Sequence, residues 1–474
     1  MRARSRGPHR RYRPSRWPWL AGASLGLLAG CFSTESTVGL PCSSDASCGS
    51  GNTCVFGYCR AEGFDAQARC GDGVQEQGEF CYPDDRKVQV TLVGELLDAV
   101  WADLDGNGTT DSITLSRMGM SSAYEIAVSF NNGDGTYEED DSPDFIVRSS
   151  VLPDIGVDIE EPPDVFVNPV NFTVGDFVGN PLPDLVLAVA PVSELPEQLQ
   201  DQPAAETLLR SLWLAENIDS ETFELSPYLV PSPEADIQVD ASDLLPTGLR
   251  RGDFNGDGRP DLLLLPRSED GATMNDAYVV LTGDDDDLED PTPVALGSRG
   301  LPFIADLYGD GTDDLTTPDD MLTAISIVLG PIVSDMDPRP PARISTQSLV
   351  VNLDAGDVDG DGNTDLVTGY DSGGFEVWLG DGRGQFASVG WVTDANANDL
   401  AVIDIDGDAL PEVLTVNSRG LFVHPGYGNG LYGGGFQIST ELADLLQVQQ
   451  LDDDGLPDLV LGSPNVVSLL FAWP

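Results

Sequence analysis

The stretch DVDGDGNTD (Asp357–Asp365), followed at once by the apolar run LVTGY (Leu366–Tyr370), decides how this chain folds. Acids stand at positions one, three, five and nine of the loop, with glycine at four and six. The glycines permit a tight turn. A bare turn of this kind would repel itself, since two carboxylates about 4 Å apart cost roughly 4 kcal/mol at an effective dielectric near 20. Side-chain oxygens at one, three, five and nine, with a backbone carbonyl at seven, supply most of the hard oxygens that a calcium ion takes. An EF-hand requires a glutamate at position twelve and flanking helices. Position twelve is Thr368 here and the flanks have strand character, so that assignment fails.

The stretch is one of seven. Well-kept copies start at Asp103 (DLDGNGTTD), Asp253 (DFNGDGRPD), Asp357 and Asp404 (DIDGDALPE). Worn copies start at Asp176 (DFVGNPLPD), Asp306 (DLYGDGTDD) and Gln450 (QLDDDGLPD). Successive starts are 73, 77, 53, 51, 47 and 46 residues apart. A unit of about 40–50 residues points to a propeller blade, and the wider early spacings to loop insertions. Within the unit starting near Leu400, apolar runs at 400–405, 413–416, 420–424 and 436–439 are bounded by Gly, Asn and Asp, as strands are. The third run aligns across units: EIAVSF from Glu125, SLWLAEN from Ser211, YVVLTG from Tyr278, SIVLG from Ser326 and EVWLG from Glu376. In this alignment Trp213 and Trp378 fall at equivalent, core positions. Four strands in each of seven units predict an all-β, seven-bladed β-propeller. The last unit offers three strands, and KVQVTLVG (Lys87–Gly94) precedes the first with no loop of its own. Pairing of the two chain ends therefore closes the ring and removes an exposed sheet edge.

On these motifs, residues 87–474 resemble the FG-GAP/VCBS-type repeats of integrin α-subunit propellers and their bacterial relatives. In that family the acidic loop binds calcium between two strands of a blade. Carried onto this sequence, the resemblance and the loop pattern assign calcium to four loops. The ligands are Asp103, Asp105, Asn107 and Asp111; Asp253, Asn255, Asp257 and Asp261; Asp357, Asp359, Asp361 and Asp365; and Asp404, Asp406, Asp408 and Glu412. Weaker sets are Asp176, Asn180 and Asp184; Asp306, Asp310 and Asp314; and Gln450, Asp452, Asp454 and Asp458. Val178, Pro181 and Tyr308 displace a ligand or a turn glycine in the worn loops, and Ala409 replaces a glycine in the Asp404 copy. The expected affinity is about 0.1–1 mM, the regime of extracellular modules, with a structural role for the ion.

Composition sets the outer limits. The chain has 474 residues, 80 acidic against 23 basic, with 52 Gly and 34 Pro. That excludes a mainly helical protein and a nucleic-acid binder, because an acidic surface repels phosphates. Residues 1–30 hold seven Arg and no acid, followed by a short apolar run, and read as a secretory signal. Leu28-Ala29-Gly30-Cys31 resembles the bacterial lipobox, in which the Cys is lipidated. Residues 31–41 then form a tether, and Phe32 after the Cys favours the outer membrane or cell surface. Cys42, Cys48, Cys54, Cys59, Cys70 and Cys81 crowd into residues 42–86 and none follows. Six in an exported segment read as three disulfides of undetermined pairing, without the CxxC spacing of zinc sites.

Two classes of function fit. One is a surface-displayed binding or adhesion module whose loops contact protein or glycan, with the membrane touched only through the lipid. Inserts at Glu139–Asp164 and Pro191–Thr207 provide loop length. Tyr427, Tyr432 and Phe436, in the segment Pro425–Phe436, either stack on a sugar or line a long hairpin turn. The other class is a calcium-assisted polysaccharide lyase or hydrolase built on paired carboxylates. Against it, no GxSxG, HExxH or nucleotide loop is present, and the ordered acids are already assigned to metal loops. A structural scaffold in a surface complex is a third reading.

Overall fold

The computed structural model describes residues 52–55, 58–61, 82 and most of 87–472; within 87–472 the longest stretches outside that description are 152–165, 192–211 and 230–243. The signal segment, Cys31, the tether, Cys42, Cys48, Cys70 and Cys81 lie outside the described residues. Cys54 and Cys59 are backbone register partners in a hairpin of Asn52–Val55 with Tyr58–Ala61. Among the described residues no helix is long and apolar enough to cross a membrane.

Seven antiparallel sheets follow in chain order. Blade one is Glu95–Ala102, Asp111–Arg117, Tyr124–Ser129 and Phe145–Arg148. Blade two is Phe166–Gly175, Asp184–Pro191, Leu212–Asn217 and Phe223–Leu229. Blade three is Leu244–Gly252, Asp261–Pro266, Asp276–Val280 and Thr292–Ala295, and blade four is Phe303–Ala305, Asp314–Pro318, Ala324–Val328 and Ala342–Ser345. Blade five is Val350–Gly356, Asp365–Tyr370, Phe375–Gly380 and Phe386–Val392. Blade six is Asp399–Ile403, Glu412–Asn417, Gly420–His424 and Phe436–Ser439. Blade seven takes Leu445–Gln449, Asp458–Ser463 and Val466–Leu470 from the C-terminal end and Lys87–Thr91 from the other end of the chain.

That last pairing is the closure expected from the missing strand. Lys87 to Thr91 lie opposite Leu470 to Val466 in unbroken register. Around the seam, Lys87 pairs with Glu441, and Gln89 Nε2 donates to Glu441 at 3.1 Å and to Ser468 Oγ at 3.2 Å. The four-strand pattern departs from expectation in one place. Ser150–Val151 adds a short fifth strand to blade two, beside Phe166–Gly175. The stretch 139–164 is therefore not simply an insert, since it carries the outermost strand of blade one and this extra strand. Flanking Asp and Pro masked the apolar run FIVR (Phe145–Arg148). Of the second insert, Pro191 ends a strand and the rest lies outside the described residues.

Each blade presents alternating apolar side chains to both neighbours. The buried apolar residues accordingly fall into seven clusters, one at each junction between consecutive blades. Trp101 and Ala99 of blade one meet Leu451, Val460 and Leu469 of blade seven, which completes the ring. Trp213 and Trp378 are both buried at junctions. The second residue of every acidic loop takes part too: Leu104, Phe177, Phe254, Leu307, Val358, Ile405 and Leu451 are each at most 3% exposed. Each inserts into the junction with the next blade. Burying such a side chain contributes about 1.5–3 kcal/mol.

Candidate metal centre and the buried acid of each blade

Every acidic loop joins the innermost strand of a blade to the second strand, so strand direction puts all seven loops on one face of the ring. Position one folds back on its own turn. In the Asp357 loop the carboxylate accepts the N–H groups of Gly360, Asp361 and Gly362 at 2.8–3.1 Å. Asp253, Asp306 and Asp404 do the same in their loops, and Asp103 accepts the N–H groups of Asn107 and Gly108. Position five caps the exit, as Asp361 Oδ1 does for the Asn363 N–H at 2.8 Å.

The sixth position needs a left-handed backbone. Gly362 has φ 87°, and Ala409 holds φ 64° with a Cβ that resists it. Ala409→Gly is therefore expected to raise stability by about 1 kcal/mol, read as a shift of the urea midpoint. An unchanged or lower midpoint contradicts it.

Position nine does something the loop pattern alone did not suggest. Asp111, Asp184, Asp261, Asp314, Asp365 and Asp458 are all 0% exposed. One oxygen of each accepts the N–H of position two: Leu104, Phe177, Phe254, Leu307, Val358 and Leu451. The other accepts an N–H from the exit of the third strand: Asn131, Asn217, Thr282, Gly330, Gly380 and Ala472. All twelve of these bonds are 2.6–3.0 Å long. The acid thus ties three strands of its blade together. Asp314 and Asp458 spend a second lone pair of Oδ2 on the N–H of Tyr308 and Asp452, whereas in Asp111, Asp261 and Asp365 the tie does not forbid metal ligation.

Burial raises these acids despite the N–H bonds that favour their charged form. Asp111, Asp261 and Asp458 are pushed up to about 7, and Asp184, Asp314 and Asp365 to about 6. In blade six the acid is Glu412, pushed to about 9 by burial and then by Asp406 beside it. A raised folded-state pKa means that the folded chain holds protons that the unfolded chain has released. The stabilisation is fully present below about pH 4 and is lost as pH climbs through 6 to 7 and, for Glu412, about 9. Chelator-treated protein is therefore expected to melt at a higher temperature at pH 5 than at pH 7.5. A rise in melting temperature from pH 5 to 7.5 contradicts this.

Ligand oxygens converge in three of the expected loops, within 4.8 Å of one another: Asp103, Asp105 and Asp111; Asp357, Asp359 and Asp361; and Asp404, Asp406 and Glu412. These all-oxygen sets could hold a hard cation. Among the described residues, Asp253, Asp257 and Asp261 form no such trio, and the Asn255 amide donates to Asp257 at 2.9 Å. Nor do the worn loops form one. In them, Asn180 caps Leu182, Tyr308 at position three is 39% exposed, and Gln450 donates to the Asp452 carbonyl. Neighbouring loops are also joined: Asn131 Nδ2 donates to the Leu451 carbonyl and Asn217 Nδ2 to that of Leu104, both at 2.7 Å.

Residues 357–415 match the FG-GAP-like repeat. The chain is a seven-bladed β-propeller that carries an FG-GAP-like repeat. No curated protein matches it in sequence. Among solved structures, an Agrocybe aegerita lectin that recognises non-reducing terminal N-acetylglucosamine is 15% identical, over 80% of this chain and 86% of the lectin, at a TM-score of 0.47. BBS1N, solved in complex with ARL6DN, is 9% identical over 82% and 95% of the two chains, at 0.47. Rhamnogalacturonan lyase YesW is 12% identical over 81% and 72%, at 0.42. At such scores these likenesses carry nothing about what this propeller binds.

Other polar and aromatic side chains have packing roles in the propeller. His424 is buried, with Nε2 3.2 Å from Thr415 Oγ1 and its ring edge-on to Phe375 at 5.1 Å. Tyr432 is buried against Phe375, and the Tyr427 hydroxyl is enclosed. The segment Pro425–Phe436 is thus the long hairpin turn, not an open aromatic platform. One anchor escaped the sequence reading: Tyr82 packs at the junction of blades six and seven and donates to the Pro457 carbonyl at 2.7 Å. No periodicity marks it, because it precedes the first repeat.

Proposed function

We propose that this protein is a lipid-anchored module of the outer membrane or cell surface, whose calcium-stabilised propeller binds a protein or glycan. The observation that carries the reading is the sevenfold recurrence of one buried acid that accepts the N–H of position two. Buried acids with raised pKa values usually mark active sites as candidates. Here they recur in every blade and hold strands together, which supports a rigid scaffold over acid/base chemistry. Rigid scaffolds carry recognition on their loops. Calcium is the cation that suits the converging carboxylates, and extracellular concentrations match loops of this kind. Cys31 carries the lipid and is the membrane's point of attachment; Cys42, Cys48, Cys54, Cys59, Cys70 and Cys81 staple the segment between anchor and propeller. The strongly acidic surface favours basic or neutral partners and disfavours nucleic acid.

The purified chain without residues 1–31, screened on a glycan array, on immobilised surface proteins and on pooled polysaccharides with added calcium, separates the readings. Retention without turnover supports a binding module. Depolymerisation of a polysaccharide sinks it in favour of a lyase or hydrolase.

A further inference from the structure

Blade seven borrows more than a strand from the other end of the chain. In blades one, three and six, a side chain from the connection ahead of the outermost strand packs into the junction with the preceding blade. Tyr137, Leu288 and Tyr432 are those side chains, the last two each four residues before their strand. Blade seven has no such connection after its third strand, because its outermost strand is Lys87–Thr91. Tyr82, five residues before that strand, takes the equivalent place at the junction with blade six. Burial raises both phenols, and the carboxylates next to them agree with the match. Tyr432 feels Glu412 and Asp365, position nine of its own blade and of the one before. Tyr82 feels Asp458, Asp454 and Glu412, which include the same pair one blade on.

Tyr82 fills a second role as well. In three blades the carbonyl at position eight of the acidic loop is capped by the side chain at the exit of the third strand. Asn131 donates to Thr110 at 3.3 Å, Asn217 to Pro183 at 3.2 Å and Thr282 to Pro260 at 2.7 Å. In blade seven the exit residue is Ala472, whose methyl group cannot donate. The position-eight carbonyl, that of Pro457, takes its bond from the Tyr82 hydroxyl at 2.7 Å. Wedge and cap thus both reach blade seven from upstream of its closing strand.

We propose that Tyr82 is a latch: it fastens the chain upstream of the propeller to the acidic-loop face, at the seam of blades six and seven, and holds the closing strand shut. The strand enters the ring with Lys87 opposite Leu470, so a pull from upstream would peel it pair by pair from that end. Tyr82 stands ahead of this first pair and meets the pull before any strand bond does. Its hydroxyl is tied to blade seven and its ring is wedged among residues of blades six and seven, so the seam opens only when a packed aromatic side chain withdraws. The inference goes beyond the binding reading and stands without the lipid or the ion. Where the chain is held by its upstream end, Tyr82 is the residue that carries the load.

The test is hydrogen–deuterium exchange of the full-length chain, read by mass spectrometry on the closing strand, Lys87–Thr91, and on Asp261–Pro266 of blade three as the reference. Tyr82→Ala is expected to speed exchange of the closing strand by on the order of tenfold or more and to leave the reference strand at the wild-type rate, as a local opening does. Tyr82→Phe keeps the wedge and loses the cap, and is expected to speed the closing strand by a smaller factor. Tyr432→Ala removes the equivalent wedge one blade back and is expected to leave Lys87–Thr91 at the wild-type rate. The latch is overturned if Tyr82→Ala leaves the closing strand unchanged, if it speeds the reference strand equally, or if Tyr432→Ala opens the closing strand as much. Should Tyr82→Ala not fold, Tyr82→Phe decides: exchange of Lys87–Thr91 at the wild-type rate overturns the latch.

Discussion

A chain lacking residues 87–91 is expected to lose about 5 kcal/mol of stability, from five paired positions at about 1 kcal/mol net each. Blade seven would then have three strands, with Val466–Leu470 as an open edge. Glu441 would lose both Lys87 and Gln89. The loss spreads beyond the seam, because blade seven also packs on Trp101 and Ala99 of blade one. Urea unfolding followed by tryptophan fluorescence reads the effect. An unchanged midpoint means that the strand is an ornament, and the closure fails with it.

The second large effect is at position nine. Asp365→Ala strips the partners from two buried N–H groups, those of Val358 and Gly380. Each unmet donor costs about 1–3 kcal/mol, so a loss of about 2–6 kcal/mol is expected. Asp365→Asn is the informative companion. Its amide oxygen still accepts one of the two bonds, and it carries no charge into a site where burial already raises the acid to about 6. The milder change, assayed without calcium at pH 7.5, therefore loses less than half as much as alanine. Equal losses in both variants would show that charge, not hydrogen bonding, is what the site needs.

Much of this was legible from a single loop. Asp, Gly and the apolar run after them fix the turn and the second strand, and their recurrence fixes the blade count. Third strands such as Gly420–His424 were readable because each is a short apolar run between turn residues. Position two was visible as Leu, Phe, Phe, Leu, Val, Ile and Leu, yet a loop read for its oxygens hides the one residue that packs. The position-nine knot was not legible, because its second donor arrives from the exit of the third strand, 33 residues on for Asp184 and 15 for Asp365. Phe145–Arg148 was lost among acids and prolines, where composition speaks for loop and only pairing with Glu125–Val128 makes it a strand.

Ring closure can be trapped directly. Gln89 and Ser468 are register partners on the two chain ends, and antiparallel partners of about 4.5–5.5 Å between Cα atoms suit a disulfide. The double variant Gln89→Cys with Ser468→Cys, oxidised and mapped by peptide mass spectrometry, should give an intramolecular link between these two positions. The linked protein should be a folded monomer that melts higher than its reduced form. A closed seven-bladed ring is contradicted if no such link forms in folded protein, or if the cysteine introduced by Gln89→Cys is found joined to another strand.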